Sequence, residues 1–244
     1  MSDLVFVGTS DAFGAGGRRQ SAVLVRGARG TLLVDCGATT GSGLAELGID
    51  RNEIDAIVVS HFHADHFGGI PQLLLAARYV DARRTPLWIA GPPEVETRVR
   101  ALAAAMGHPL DTALAFDLRF VELAPGRPHE IGPARVESFA TRHQIESNPH
   151  GYRIDAGGAS IAYSGDTGWF DALPRAVAGA DLFICECTQH ARGLDFHLSL
   201  EELAEHRHEF DCGRMLLTHL GAEMHARRGS CGFETADDGL ALRL

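Results

Sequence analysis

A run of apolar, largely β-branched residues at 54–60 (IDAIVVS) leads directly into the hexad HFHADH at 61–66. A short run of this kind predicts a buried β-strand. The loop that follows the strand therefore carries three histidines and one aspartate in six positions, and all four side chains are types that bind metal ions. We expect this loop to hold metal, because a merely solvated loop has no reason to concentrate these residues behind a buried strand.

The spacing inside the hexad predicts two metal positions. In an extended segment the side chains at i and i+2 point the same way, so His61 and His63 can bind one ion together. Asp65 and His66 follow where the chain begins to coil toward a helix, and they can turn to a second ion. One loop can thus supply two adjacent metal positions, as a two-metal hydrolytic site requires.

Three further ligand candidates follow other predicted strands, namely His143 after VESFATR, Asp166 in YSGD and His219 in LLTH. The end of a strand is held by its sheet, so a side chain placed there keeps a fixed geometry. Each of these residues alone is typical of a cap or a turn. Together with the hexad they are enough to complete two coordination shells.

The rest of the pattern predicts two blocks of strands, each accompanied by helices. The first block has strands at 4–7, 22–26, 31–34 and 54–60, a helix at 68–79, a strand in PLWIAGPP and a helix at 94–107. The second has the strands LRFVEL, ARVESFATRH, GYRID, ASIAYSGD, DLFICECT and RMLLTHL, and the helices DALPRAVAGA and SLEELAEHRHEF, with a last edge strand in DDGLALRL. This order predicts an α/β (α+β) fold in one domain over 1–244, a four-layer αββα sandwich of two mixed β-sheets flanked by helices.

Composition limits the surroundings in which such a domain works. No apolar run approaches the ~20 residues of a membrane span, and the first residues carry no basic segment typical of a signal peptide. Five cysteines are an odd number in a long chain, which favours reduced thiols and a cytoplasmic location. The formal net charge of −10 argues against extended nucleic acid as a partner, because such binding depends on arginine and lysine.

These motifs, in this order, resemble those of the metallo-β-lactamase-fold hydrolases. Within that superfamily HGYRI, IAYSGDT and the LLTH end are most similar to ribonuclease Z and its phosphodiesterase relatives. The resemblance implies two divalent ions, one bound by His61, His63 and His143, the other by Asp65, His66 and His219, with Asp166 bridging both. Imidazole and carboxylate ligands suit Zn²⁺ first, and Mn²⁺ or Fe²⁺ as alternatives.

Two such ions ~3.5–4 Å apart can share a hydroxide that attacks phosphorus or a carbonyl carbon, and Asp65 can orient or deprotonate the water. The leaving group also needs a proton. In the relatives that the chain resembles, a glutamate ends the corresponding strand and a histidine that precedes the next helix donates the proton. Glu186 in ICECT and His197 in DFHLSLEE occupy these places.

The chain departs from ribonuclease Z at two places. Only DAGGASI joins Ile154 to Ala162, where the relatives insert the arm that grips transfer RNA, and LGAEM follows His219 in place of a Ser-Pro-Arg-Tyr type stretch. Processing of transfer RNA 3′ ends is therefore disfavoured. The expected substrate is a small phosphodiester, namely a cyclic nucleotide, a cyclic sugar phosphate or a short nucleic-acid end.

Alternatives remain at this stage. A lactonase, thioesterase or β-lactamase would use the same metals on a carbonyl group and would prefer an apolar cleft with a tyrosine. A phosphodiesterase would instead place a basic group near the metals, for which Arg18, Arg19 and Arg142 are available. A di-iron redox or sensing module is disfavoured, because the hexad keeps His63 and the chain has no room for a flavin domain. The helix in GPPEVETRVRALAAAMG offers an apolar face that a homodimer could bury.

Overall fold

Two seven-stranded mixed β-sheets pack face to face in the computed structural model, which describes residues 2–111 and 113–244. Their strand orders, within these residues, are β14-β1-β2-β3-β4-β5-β6 and β13-β12-β11-β10-β9-β8-β7. The strands are β1 (Asp3–Gly8), β2 (Ala22–Gly27), β3 (Gly30–Val34), β4 (Ile54–Val58), β5 (Leu87–Gly91), β6 (Leu118–Glu122), β7 (Pro128–Ile131), β8 (Ala134–Ala140), β9 (His150–Asp155), β10 (Ser160–Tyr163), β11 (Ala180–Glu186), β12 (Cys212–Thr218), β13 (Glu234–Thr235) and β14 (Ala241–Arg243).

Helices cover the outer face of each sheet. They are α1 (Thr40–Glu46), α2 (Ala64–Phe67), α3 (Ile70–Tyr79), α4 (Val95–Ala105), α5 (Leu173–Val177), α6 (Leu200–Glu205) and α7 (Ala222–Ala226). Strand alternation explains the layering, since Leu4 and Phe6 point into the core between the sheets, whereas Val5 and Val7 point to the helices. The predicted αββα sandwich of two mixed sheets is confirmed.

Several element ends differ from the prediction. The strand predicted to end at His143 stops at Ala140, and the one predicted to end at Asp166 stops at Tyr163, so both side chains lie in turns beyond the ladder. The helix α1 was missed because its segment TGSGLAE contains two glycines, which are poor helix formers. The helix predicted in SLEELAEHRHEF begins after Ser199, whose side chain forms a capping box with Glu202, and ends earlier than predicted, at Glu205.

The helix α4 corrects one expectation about assembly. Its buried residues Val95, Val99 and Ala103 face the protein's own interior, where Val95 and Val99 belong to the apolar cluster beneath the first sheet. The apolar face that was expected to be free for a homodimer is therefore covered by the same chain. Among the described residues, no helix is both long and apolar enough to cross a membrane.

Candidate metal centre

The ligand candidates meet at one edge of the two sheets. The hexad follows β4 of the first sheet, while Asp166 follows β10 and His219 follows β12 of the second sheet. The strands β10, β11 and β12 are parallel neighbours, so their carboxyl ends lie side by side. His143 reaches the same place from the turn after β8. This edge therefore collects, from four separate segments, all seven predicted ligands.

The first donor group consists of His61, His63, His143 and Asp166, whose ligand atoms all lie within 4.8 Å of one another. Nδ1 of His63 is 3.1 Å from Nε2 of His61 and 3.1 Å from Nε2 of His143. Oδ2 of Asp166 lies 3.7 Å from His61 Nε2 and 3.9 Å from His143 Nε2. Three ring nitrogens and one carboxylate oxygen thus surround one point.

The second donor group consists of Asp65, His66, His219 and, again, Asp166. Oδ2 of Asp65 is 3.3 Å from Nε2 of both histidines. Asp166 is 3.2 Å from His66 Nε2 through Oδ1 and 3.4 Å from His219 Nε2 through Oδ2. All four side chains are buried. The two groups share Asp166, and the pairing of ligands is the one that the resemblance implied.

Four of the five rings are oriented as in metal-binding histidines, with Nδ1 held by a protein group and Nε2 facing the centre, whereas His63 faces the centre with Nδ1. Nδ1 of His143 donates to the carbonyl oxygen of Phe196 at 2.8 Å. Nδ1 of His61 lies 3.0 Å from Oγ of Ser60. Since that hydroxyl donates its own proton to Asp35, it accepts from His61. The Nε2 atoms of both rings are therefore left with free lone pairs.

The second group follows the same rule. Nδ1 of His66 is 2.6 Å from Oδ2 of Asp35. Nδ1 of His219 is 2.8 Å from Oγ1 of Thr188, whose proton goes to Glu186. Lone pairs of imidazole thus converge on two carboxylates, and an arrangement of acceptors only is stabilised by a cation. Consistently, His66 Nε2 and Asp166 Oδ1 are buried without a hydrogen-bond partner within the described chain. The residues fit two divalent metal ions.

The pKa values of the two groups are shifted in different ways. Burial lowers the pKa of His61, His63 and His143, which keeps these rings neutral and able to bind a cation. Burial opposes the charged form of Asp65 and Asp166, but the histidines around them lower the pKa of both carboxyls, so the carboxylates stay ionised. Both effects favour the protonation states that metal binding requires. Burial also lowers the pKa of His66 and His219, but the neighbouring carboxylates, Asp166 foremost, raise the pKa of both rings, so a cation that binds there has to displace a proton.

Asp35 supports the centre from behind and was not among the predicted site residues. Its Oδ1 accepts from the backbone N–H of Ser60 at 2.6 Å, and its Oδ2 accepts from Ser60 Oγ, His66 Nδ1 and Tyr163 Oη. The backbone of Asp35 has a φ of 59°, an uncommon value for a residue other than glycine. The only signal in the sequence is an acidic turn after a strand, in DCGA.

Glu186 and His197 form a pair beside the second donor group. Nδ1 of His197 donates to Oε1 of Glu186 at 2.8 Å, and the same carboxylate accepts from the backbone N–H groups of Thr167 and Thr188. Burial lowers the pKa of His197, but the carboxylate of Glu186 raises it more, to about 9. His197 lines the cavity over the centre, whereas Glu186 lies behind it. Glu186 and His197 were the two residues considered for protonation of the leaving group. Their geometry makes Glu186 the partner that orients His197.

The remaining histidines and the cysteines stand apart from this centre. His150 donates from Nδ1 to the carbonyl oxygen of Asn148 and belongs to neither donor group. Cys185 in β11 and Cys187 just after it are fully buried. All five cysteines are free, and within the described residues the donor groups contain only histidine and carboxylate.

A cavity of about 300 Å³ opens above the centre. The donor residues form its floor, and its walls are Asp11, Ala12, Phe13, Gln144, Thr188, Leu194, Phe196 and His197. Among the described residues, neither an arginine nor a tyrosine lines it. Four wall residues are apolar, namely Ala12, Phe13, Leu194 and Phe196, and the walls also carry the polar side chains of Asp11, Gln144, Thr188 and His197.

The three arginines considered as phosphate-binding groups are engaged elsewhere. Arg18 pairs with Asp237 at 2.6 Å, and Arg19 pairs with Glu46 at 2.7 Å. Arg142 is more than half exposed and contacts Asp195 at 3.1 Å. None of them lines the cavity, because each belongs to an ion pair that holds a loop. Anion binding here would depend on the metal ions and on the histidines.

Comparison with known proteins identifies the family and the fold of the chain. A family model described as "Anti-Pycsar protein Apyc1" matches residues 2–236. A ribonuclease Z from Mycobacterium bovis BCG Pasteur is 27% identical over 240 residues, covering 90% of this chain and 86% of the relative.

Two solved structures have the same fold. The metallo-β-lactamase fold protein YhfI from Bacillus subtilis is 24% identical and superimposes with a TM-score of 0.79, covering all of both chains. A diphosphatase from the PhnP family is 19% identical with a TM-score of 0.79, covering 100% of this chain and 98% of that protein. The predicted metallo-β-lactamase fold is confirmed.

Proposed function

We propose that this chain, which belongs to the family of the anti-Pycsar protein Apyc1, hydrolyses a small phosphodiester. It is a metal-dependent hydrolase of the metallo-β-lactamase fold, in the branch similar to ribonuclease Z. The observation that carries the proposal is the pair of donor groups that share Asp166 beneath one cavity. Such a pair would hold two cations side by side, and two adjacent cations can act on one phosphoryl group.

In this proposal His61, His63 and His143 hold one divalent ion, Asp65, His66 and His219 hold the other, and Asp166 contacts both. When bound, the two ions supply the Lewis acidity that activates water and offsets negative charge on the phosphoryl oxygens. Zn²⁺ is the first choice for this set of imidazoles and carboxylates, with Mn²⁺ and Fe²⁺ as alternatives. The protein's own task is to orient the reactants and to handle protons.

Two side chains divide the proton handling. Asp65 lies on the cavity floor, where its carboxylate can orient the attacking water and accept its proton. His197 lines the wall and keeps Nδ1 on Glu186, so its Nε2 is the nitrogen that can protonate the leaving oxygen. Glu186 then stabilises the donor in its required tautomer, as an acidic partner does for a catalytic histidine.

A small substrate is favoured over transfer RNA. The strands β9 and β10 are joined by residues 156–159 alone, which leaves no arm at the place where ribonuclease Z carries one. The cavity of about 300 Å³ is at the lower end of the range for small-molecule sites. A cyclic nucleotide, a cyclic sugar phosphate or a short nucleic-acid end therefore remains the proposed substrate class. We also keep the single domain over 1–244 and the cytoplasmic location as proposals.

The test compares three substrate classes with protein of measured metal content. Hydrolysis of bis(p-nitrophenyl) phosphate, a lactone and a thioester is measured side by side. We expect close to two metal ions per chain and turnover of the phosphodiester. Turnover of the carbonyl substrates alone would overturn the proposal and indicate a lactonase or thioesterase. The exposed His208, which lies outside the donor groups, provides a control variant, His208→Ala, that should keep full activity.

A further inference from the structure

Phe13 stands at the mouth of the cavity with 93% of its surface exposed. A large aromatic ring in this position forgoes the free energy that burial of its apolar surface would provide. The ring nevertheless lies next to the floor that holds the donor groups. Beside such a site, an exposed aromatic ring offers a ligand a rigid, planar apolar contact.

The loop that carries Phe13 is held in place, so the exposure of the ring is built into the fold. Oδ1 of Asp11, a largely buried residue, accepts from the backbone N–H of both Phe13 and Ala15 at 3.1 Å and from the hydroxyl of Ser10 at 3.0 Å. The carbonyl oxygen of Ala12 accepts from the side chain of Gln20 at 3.0 Å.

The other end of the loop packs on α7. Gly16 approaches His225 so closely that a Cβ at Gly16 would lie 2.2 Å from its ring, and its φ of 64° also favours glycine. The loop is therefore anchored on both sides of Phe13.

A second loop completes the apolar part of the cavity. Leu194 and Phe196 line it, and Leu194 is half exposed. Phe196 is fixed to the centre, because its ring contacts the ring of His143 edge-on with centroids 5.7 Å apart and its carbonyl oxygen holds Nδ1 of the same histidine. The cavity thus has an ionic floor and an apolar rim, which suits a ligand with an anionic end and a planar uncharged end.

We propose that Phe13 is the specificity-determining surface on which the nucleobase of a cyclic nucleotide packs while its phosphodiester lies over the donor groups. This inference rests on the proposed function and adds the substrate's second point of recognition. Packing of this kind tolerates different bases, because every base has a π-face. A cyclic sugar phosphate without a base would lack this contact with Phe13.

The experiment uses two substrates that differ only in the base. One is a nucleoside 3′,5′-cyclic monophosphate and the other is the 3′,5′-cyclic phosphate of methyl riboside. For the metal-loaded protein we expect Phe13→Ala to lower kcat/KM on the nucleotide about tenfold, mainly through KM, the size of one stacking contact. The activity of Phe13→Ala on the methyl riboside substrate should stay within twofold. Phe13→Trp, which keeps an aromatic ring, should retain the activity on the nucleotide.

A matched control is Tyr79→Ala, which removes an exposed aromatic side chain on α3, away from the cavity, and should change neither activity. Equal losses on both substrates, or no loss on either, would overturn the role of Phe13 while leaving the phosphodiesterase in place. Failure of the unmodified protein to cleave either substrate, with carbonyl substrates turned over instead, would overturn the proposed function and this inference together.

Discussion

Nδ1 of His66 lies 2.6 Å from Oδ2 of Asp35, and both side chains are fully buried. The contact holds Nε2 of His66 toward Asp65 and Asp166, where a cation would lie. Asp35 is itself held by Ser60 and by the hydroxyl of Tyr163, 128 positions further along the chain. The orientation of one proposed ligand is thus set by contacts between both sheets.

Asp35→Asn is expected to weaken metal binding by about 10- to 100-fold, the usual effect of removing a partner of a metal-binding histidine. The change keeps the size of the side chain, and asparagine tolerates the positive φ. Metal affinity is measured by competition with a chelator of known affinity. Tyr163→Phe is the control, since it removes a hydrogen bond to the same oxygen without touching His66. It should cost about 1 kcal/mol of stability and leave two metal ions bound.

Substitutions in the donor groups should separate the two metal positions. His63 belongs to the first group alone, so His63→Ala should lower the metal content from about two ions per chain toward one. Asp166 belongs to both groups, so Asp166→Ala should lower it further. Both variants should lose activity by about a hundredfold or more, because each cation contributes several kcal/mol.

Elemental analysis after gel filtration gives the metal content, and circular dichroism shows whether the fold is kept. A folded Asp166→Ala variant with full metal content and full turnover would show that the ligand assignment is wrong. His208→Ala again provides the background level for loss of a histidine outside the centre.

His197→Ala should affect the reaction according to the leaving group. An alkoxide needs a proton as it leaves, so cleavage of an alkyl phosphodiester should fall by about 10² to 10⁴-fold. The p-nitrophenolate ion leaves without one, so bis(p-nitrophenyl) phosphate should be cleaved at nearly the original rate. Glu186→Gln should show the same pattern more weakly, because Glu186 acts through His197.

Metal analysis decides whether His197 is a proton donor or a metal ligand. Glu186, His197 and His219 themselves lie close enough to hold an ion. We expect His197→Ala to keep its metal. Loss of one ion per chain in that variant, with equal losses on both substrates, would make His197 a ligand rather than a proton donor.

Removal of metal should destabilise the protein. An ion that binds only the folded chain adds about 2.7 kcal/mol when its free concentration is 100 times Kd. For a chain of this size each kcal/mol shifts Tm by about 2–4 °C, so a chelator should lower Tm by roughly 5–10 °C. Calorimetry with and without chelator, followed by addition of Zn²⁺, Mn²⁺ or Fe²⁺, measures the effect. An unchanged Tm would argue against resident metal in the donor groups.

The layered fold was accessible from the sequence because its signals are local. Alternating apolar residues in β1 and β2 assign one face to the inter-sheet core and the other to the helices. The hexad was equally clear, since the i, i+2 spacing of His61 and His63 and the start of α2 at Ala64 depend only on neighbouring residues. Elements with weak local signals were missed. One example is α1, whose two glycines weaken the helical signal of its sequence.

The sequence by itself thus determined the architecture, the candidate ligands and the likeness to metal-dependent hydrolases, all of which follow from short-range patterns. The place of Asp166 in both donor groups agrees with what the resemblance implied, but only the tertiary structure decided that Asp35 holds His66 and that Glu186 stands behind His197. It also showed that Arg18 and Arg19 form ion pairs outside the cavity and that Phe13 lies at the mouth of the cavity. These relationships join residues far apart in the chain, and side-chain partners across two sheets are set by packing and charge in three dimensions, which local spacing does not encode.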